Sequence, residues 1–326
     1  MNIVTIPSLI DMHVHLRDPG FTHKETILTG LKSAQKGGYG VVCTMPNTSP
    51  VNDNIDTLNY IINEAKKYDE VKLLPICAIT KNLNSKVLVN FKELKENGAI
   101  AFSNDGLPIL DKKVFKCALE SGELIISHLE DETLEAKWQI KIYKEVLSEN
   151  KVVPRLHFAH ISKKATLDVI RAEKPNCPTL TVETCPHYFT FTKDDVTDNG
   201  IFKMNPPLGD KDDRQAVIDA ILDGTIDVIS TDHAPHTIDE KLLPYDKAPN
   251  GITGLETAFS LTYMKFGLDV AIEKMSDMPK RILGIENNKK IKVDLDKTWL
   301  VHAKSFKTKC KVSPYENMVL KGKVIC

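Results

Sequence analysis

The stretch Ile10-Asp11-Met12-His13-Val14-His15-Leu16-Arg17-Asp18-Pro19-Gly20 decides the fold and points to the chemistry. It reads as an apolar strand over 8–16 that runs into an Asp-Pro-Gly turn. A strand repeats every two residues, so His13 and His15 share one side of it. Two imidazoles side by side at the end of a buried strand form half of a metal site. Arg17, two residues further on, reaches the mouth of the same site.

Outward from this stretch, apolar strand-like runs alternate with helical patterns through most of the chain. Further strands are expected over 39–45, 71–79, 99–103, 123–127, 155–160, 179–184 and 225–230. Helices are expected over 25–35, 56–67, 86–96, 111–121, 132–149, 164–173, 212–222, 256–266 and 271–282. Eight strands, each apolar nearly throughout and separated by helices, predict parallel strands covered on both faces. A closed (β/α)8 TIM barrel of about 250 residues accounts for the count better than a doubly wound open sheet. From about Ile291 the pattern changes: 299–301 and 318–324 look like short strands around loops, which predicts a small β appendage. The expected division is a barrel over 7–286 and a reduced β-sandwich built from 1–6 and 287–326.

Forty-three Lys and Arg against 44 Asp and Glu leave the 326-residue chain with a net charge of -1. No pull toward nucleic acid or an anionic membrane follows from that balance. The N-terminus carries no basic region followed by an apolar core, and no apolar run nears the roughly 18 residues a membrane span needs. A cytoplasmic address is expected. Seven cysteines (43, 77, 117, 177, 185, 310 and 326) without a Cys-x-x-Cys pair read as buried thiols in a reducing compartment.

In a barrel of this kind, functional residues sit at the C-terminal ends of the strands. Those ends offer His13 and His15, then Asn104-Asp105-Gly106, His128, His160, and finally Thr231-Asp232-His233-Ala234-Pro235-His236. Each is a metal ligand or a proton carrier by type. A lone histidine at a strand end is more often structural, and Asp105 before a glycine can simply make an Asx turn. The whole set is far more specific. His157 and His160 face opposite ways on a strand, so only one can point into the site. His23, His157 and His302 read as structural, and His187 stays open between a supporting and a structural part.

The motifs continue well beyond the opening stretch. They include Thr-Met-Pro-Asn-Thr (44–48), Ala-Phe-Ser-Asn-Asp-Gly (101–106), His-Leu-Glu-Asp (128–131) and His-Phe-Ala-His-Ile-Ser (157–162). Lys-Met-Asn-Pro-Pro-Leu (203–208), Ser-Thr-Asp-His-Ala-Pro-His (230–236) and Gly-Ile-Thr-Gly-Leu-Glu-Thr (251–257) complete them. With these the sequence resembles the amidohydrolase superfamily and, within it, the dihydroorotase family. The resemblance implies zinc held by His13, His15, His128, His160 and Asp232, with Asp105 between two metal positions where many relatives use a carboxylated lysine. One zinc or a pair are both compatible with an aspartate there. The implied reaction is the reversible interconversion of N-carbamoyl-L-aspartate and dihydroorotate in pyrimidine biosynthesis, with Asp232 carrying the proton.

The carboxylate of such a substrate suits the fork of Arg17. Asn47 and His236 add donors on that side, and Asn205 is implied at the amide edge of the ring. Besides the small-molecule substrate, the resemblance implies either a homodimer or association with aspartate transcarbamoylase. Another cyclic amidase (a hydantoinase, dihydropyrimidinase or allantoinase) is the nearest alternative, and a catalytically dead structural subunit is the next. Arg17 with Asn47 speaks against the first, and the complete ligand set against the second. Members of the family carry more residues ahead of the His-x-His stretch and a hairpin near 287–294. A reduced sandwich with an exposed apolar flank, covered by a partner or a dimer contact, is therefore expected.

Overall fold

The structure, a computed structural model, describes residues 2–325. The expectations that touch Met1 and Cys326 lie outside the described residues. The strands are β1 (Ile3–Pro7), β2 (Leu9–Val14), β3 (Tyr39–Thr44), β4 (Lys72–Cys77), β5 (Ala101–Ser103) and β6 (Leu124–Ser127). They continue as β7 (Arg155–Phe158), β8 (Leu180–Thr184), β9 (Val228–Ile229), β10 (Lys290–Leu300) and β11 (Val319–Ile325). The first six helices are α1 (Ile27–Gly37), α2 (Ile55–Ala65), α3 (Phe91–Glu96), α4 (Lys112–Glu120), α5 (Glu132–Ser148) and α6 (Lys164–Glu173). The others are α7 (Pro186–Thr190), α8 (Lys211–Leu222), α9 (Ile238–Lys241), α10 (Ala258–Phe266), α11 (Leu268–Ile272) and α12 (Met278–Leu283).

Strands β2 to β9 pair in parallel in sequence order. A bridge between Val14 and His233, with the His15 N–H donating to the His233 carbonyl at 2.8 Å, brings the last edge against the first. The expected (β/α)8 barrel is therefore present. Its strands are buried along almost their whole length, as β2 and β3 show at every position. Ile10, Met12, Val41, Cys43, Ile76, Ile126 and Val228 fill the interior. A second apolar layer, with Leu31, Leu58, Phe115, Tyr143, Leu167 and Val217, lies between strands and helices. Side-chain caps set where the helices begin: the Asp131 carboxylate accepts from the Leu134 N–H at α5, and Asp210 accepts from Asp212 and Asp213 at α8.

Four elements differ from expectation, each for a local reason. The helix expected over 86–96 begins only at Phe91, because Asn90 caps it and Leu88 bridges back to Thr80. The strand expected over 225–230 shortens to Val228–Ile229. The N–H groups of Thr225 and Ile226 are still tied to Asp223 and Ala220 at the end of α8. The helix expected over 271–282 is interrupted by a π-turn at Glu273–Asp277, after which α12 turns under the barrel. Met278, Ile282 and Leu283 then pack against the interior cluster and plug its lower end. Finally, 290–300 is one long strand, because Val293 and Leu295 are buried while β1 and β11 pair on its two sides. Of the described cysteines Cys117 is exposed, contrary to the expectation of buried thiols, and the other five are buried.

The small sheet has the order β1-β10-β11 and is antiparallel. It lies against the α1–β3 corner, where Gly38 caps α1 at φ 90°. A Cβ at Gly38 would stand 2.7 Å from Ile291 Cδ1 and 2.9 Å from Val324 Cγ2, so only glycine admits this approach. On the other side Trp299 Nε1 donates to Ser260 Oγ of α10 at 3.2 Å. Four large apolar side chains of this sheet, Ile3, Leu300, Val319 and Ile325, are exposed beside Thr5 and Lys292.

Candidate metal centre and substrate cavity

The side chains expected at the strand ends meet above the barrel. Parity changes at the end of β2: Ile10 and Met12 belong to the interior cluster, yet His13 and His15, of opposite parity, meet the cluster above it. The pairing with β3 shifts between Asp11 and Val14, which is how a bulge re-aims a side chain. Asp105 follows β5, His128 follows β6, His160 lies two residues past β7, and Asp232 lies three past β9. His160 and Asp232 sit at φ 33° and φ 46°, and Arg17 at φ 59°. Left-handed backbone at non-glycine residues costs on the order of 1–3 kcal/mol each and gathers where side chains must be aimed.

Two groups of donors come together, each with its ligand atoms within 4.8 Å: His13, His15 and Asp105, and Asp105, His128 and His160. Asp105 belongs to both. Its Oδ1 lies 3.3 Å from His13 Nε2 and 3.6 Å from His128 Nδ1, and its Oδ2 lies 3.3 Å from His15 Nε2. Asp232 Oδ1 is 3.1 Å from His15 Nε2 and 3.5 Å from His13 Nε2. The rings of His128 and His160 meet edge to face, with His128 Nδ1 and His160 Nε2 2.9 Å apart.

Behind these donors stand residues that the sequence reading did not single out. His13 Nδ1 donates to Glu183 Oε1 at 2.7 Å, and Ser230 Oγ donates to Glu183 Oε2 at 2.5 Å. His157, expected to be structural, is buried with Nε2 3.3 Å from the same Oε2. Asp11 accepts from the His13 N–H and from the N–H and hydroxyl of Thr231, so it ties β2 to the segment after β9. Their signal was a carboxylate inside an apolar strand, Glu183 in Leu-Thr-Val-Glu-Thr and Asp11 in Leu-Ile-Asp-Met. His187 is fully buried, neither of its ring nitrogens has a hydrogen-bond partner among the described residues, and burial pushes its pKa down to about 3.

The cluster fits a divalent cation by its own chemistry. Among the described residues His13 Nε2, Asp105 Oδ1 and His160 Nδ1 are buried without hydrogen-bond partners, and the first two face each other across the shared space. Burial alone would lower the His13 pKa, but Asp105, Glu183 and Asp232 raise it well above 6.5. Burial likewise opposes the ionisation of Asp232, yet His13 and His15 hold its pKa at about 2. Carboxylates that draw a proton onto His13 and His128 against the effect of burial also attract a cation. His13, His15, Asp105 and Asp232 would hold one ion, and Asp105, His128 and His160 a second.

A cleft open to solvent, with about 500 Å³ of empty space counting the solvent at its mouth, lies over the cluster, lined by His15, Arg17, Asn47, Asp105, His128, His160, Asn205, Asp232, Asn250 and Gly251 among others. Asn47 is doubly committed, with Oδ1 accepting from His15 Nδ1 at 2.9 Å and Nδ2 donating to Asp105 Oδ2 at 3.3 Å. Asn205 Nδ2 lies 3.3 Å from His128 Nε2 and donates to Glu130 at 3.4 Å. His236 does not line this cavity. Its Nε2 donates to the Asn250 carbonyl at 2.8 Å and its Nδ1 accepts from Lys24 at 3.1 Å. Arg17 rests against it, with Nη2 3.1 Å from His236 Nε2 and Nε donating to the Pro235 carbonyl. Burial, with the charges of Arg17 and Lys24, pushes the His236 pKa down to about 3.

An eight-stranded parallel barrel with this donor cluster on its rim defines the amidohydrolase class. Solved structures share the fold at low identity. The L-hydantoinase (dihydropyrimidinase) of Arthrobacter aurescens superposes with a TM-score of 0.86 at 20% identity, over 98% of this chain and 83% of that one. A D-hydantoinase from Thermus sp. superposes at 0.80 and 19% identity, over 99% and 83%. A model of the dihydro-orotase-like family matches residues 2–143. A protein of Syntrophus aciditrophicus named dihydroorotase is 40% identical over 362 positions, covering 99% of this chain and 85% of its own length. One of Geobacter metallireducens with the same name is 40% identical over 360 positions, with coverages of 98% and 85%. The chain belongs to the dihydroorotase family. Both alignments run longer than the 326 residues of this chain, so these relatives carry internal segments without a counterpart here.

Proposed function

We propose that this chain is a zinc-dependent dihydroorotase that interconverts N-carbamoyl-L-aspartate and dihydroorotate with water, a step of pyrimidine biosynthesis, in the cytoplasm. One observation carries the choice of substrate: Arg17 lines the same cavity as the carboxylate-histidine cluster. A neutral cyclic amide has no use for a guanidinium there, whereas a carboxylate outside the reacting bond matches its fork. When bound, a zinc-class ion lowers the pKa of water toward neutrality and polarises the amide carbonyl. Around it this chain's residues divide the work. Asp232, ionised at neutral pH, accepts the proton of the attacking water and returns it to the departing ring nitrogen. Asp105 stays ionised between the two donor groups, since His13 and its neighbours hold its pKa well below the usual range against the effect of burial. Asn47 locks the tautomer of His15, and Asn205 presents an amide to the ring.

The test is turnover in both directions by zinc-loaded protein, beside a hydantoin control and an Arg17→Met variant. The expected result is preference for carbamoyl-aspartate and dihydroorotate over hydantoin. Arg17→Met should raise KM by more than about tenfold while bound zinc stays constant. Faster turnover of hydantoin, or loss of zinc with Arg17, would overturn the assignment.

A further inference from the structure

Lys241 closes the four-residue helix α9 and is 2 % exposed. Among the described residues no carboxylate lies within ion-pair distance of its ammonium, which makes its burial costly. Its Nζ donates instead to two main-chain carbonyls, Lys203 O at 3.0 Å and Pro249 O at 3.1 Å. Those carbonyls belong to separate segments that both line the cavity: Lys203 precedes Asn205 by two residues, and Pro249 precedes Asn250 and Gly251. The Gly251 N–H also donates to Lys203 O at 2.9 Å. Gly251 sits at φ 130°, and a Cβ there would stand 2.4 Å from the Ala234 carbonyl oxygen, so this segment has no slack toward β9.

The preceding residue of α9, Glu240, serves the opposite wall. Glu240 pairs with Lys24 at 2.8 Å, Lys24 donates to His236, and the His236 ring packs against the Arg17 guanidinium. A four-residue helix therefore holds the guanidinium on one side and the Asn205 and Gly251 segments on the other. We propose that Lys241, which touches nothing in the cavity, is a positioning residue. It sets the spacing between the Arg17 wall and the Asn205–Gly251 wall, and so governs substrate affinity rather than the chemical step. Burial pushes its pKa down to about 7, with Cys310, Lys203, Arg17 and Glu240 as the charged or titratable groups around it. Ammonium and amine each carry at least two N–H donors, so the two carbonyls stay tied on both sides of neutral pH.

The inference rests on the proposed function only where it concerns KM. Lys241→Met keeps the apolar stem and removes the donors. Its expected effects are a rise in KM of about tenfold or more, kcat within about threefold, unchanged zinc per chain, and faster hydrogen exchange at the Gly251 amide. If Lys241→Met does not fold, Lys241→Ala with added propylamine replaces it, and the amine should return KM toward the wild-type value. A wild-type KM with unchanged Gly251 exchange overturns the proposal. So does a parallel fall of kcat and bound zinc, or an Ala variant indifferent to the amine. Wild-type protein that turns over neither substrate would sink the functional reading, while Gly251 exchange would still decide the clamp.

Discussion

His13 and His236 serve one cavity, yet their surroundings have opposite sign. Three carboxylates, Asp105, Glu183 and Asp232, outweigh burial around His13 and raise its proton affinity. Around His236 burial acts first, and Arg17 and Lys24 push the same way, so it stays neutral down to about pH 3. In the proposed function the first cluster would hold cations, and the second would receive an anion. The neighbours, not the imidazole, decide which part a histidine plays. Both parts are needed for a reaction in which an ion activates water while a substrate carboxylate is held nearby.

Removing Asp105 should damage the contrast most, because it is the carboxylate shared by both donor groups. Asp105→Ala is expected to lower bound metal and to cut turnover by more than about 100-fold, the upper range seen even for residues behind a ligand. Metal analysis with steady-state rates checks it, and a fully loaded, active variant would break the comparison. Glu183→Gln should act next, weakening metal binding by roughly 10–100-fold through the lost support of His13 Nδ1. Glu130, whose Oε2 stands 3.7 Å from His128 Nε2 with an exposed side chain, should matter far less. Competition titrations of the two variants sharpen the contrast, and equal losses would erase it.

The smallest effect is on acid stability. A histidine whose folded pKa lies below its unfolded value contributes stability that is present above about 6.5 and is lost as pH falls toward its folded pKa of about 3. Replacing His236 with Gln should therefore flatten the fall in stability between about pH 6.5 and 4, measured by urea unfolding of metal-free protein. His187, also near 3, keeps its share of the slope in that variant. A curve as steep as the wild type's would mean that the cationic wall does not act on His236.

Much of this molecule was legible in its residues because barrel strands advertise themselves. Apolar runs of strand length, turns that follow them, and chemistry at their ends are local patterns. They sufficed for the eight strands and for bringing His13, His15, Asp105, His128, His160 and Asp232 to one rim. Local patterns say nothing of what stands behind a side chain. Glu183 meets His13 across 170 residues and Asp11 meets Thr231 across 220, contacts that exist only once the barrel closes. His236 was read as a donor to substrate because its motif places it at a strand end. In the structure its two nitrogens meet Lys24 and the Asn250 carbonyl, behind Arg17 and Asn250 of the cavity lining. Lys241 had no signature at all, because a lysine in a short helix looks solvated until the carbonyls of Lys203, 38 residues away, and Pro249 are found on its ammonium. The sequence by itself determined the barrel and the inventory of donors, because periodicity and residue type are properties of a few neighbours. Only the tertiary structure decided the sign of each surrounding and the spacing of the walls, because electrostatic fields and packing distances belong to groups far apart along the chain.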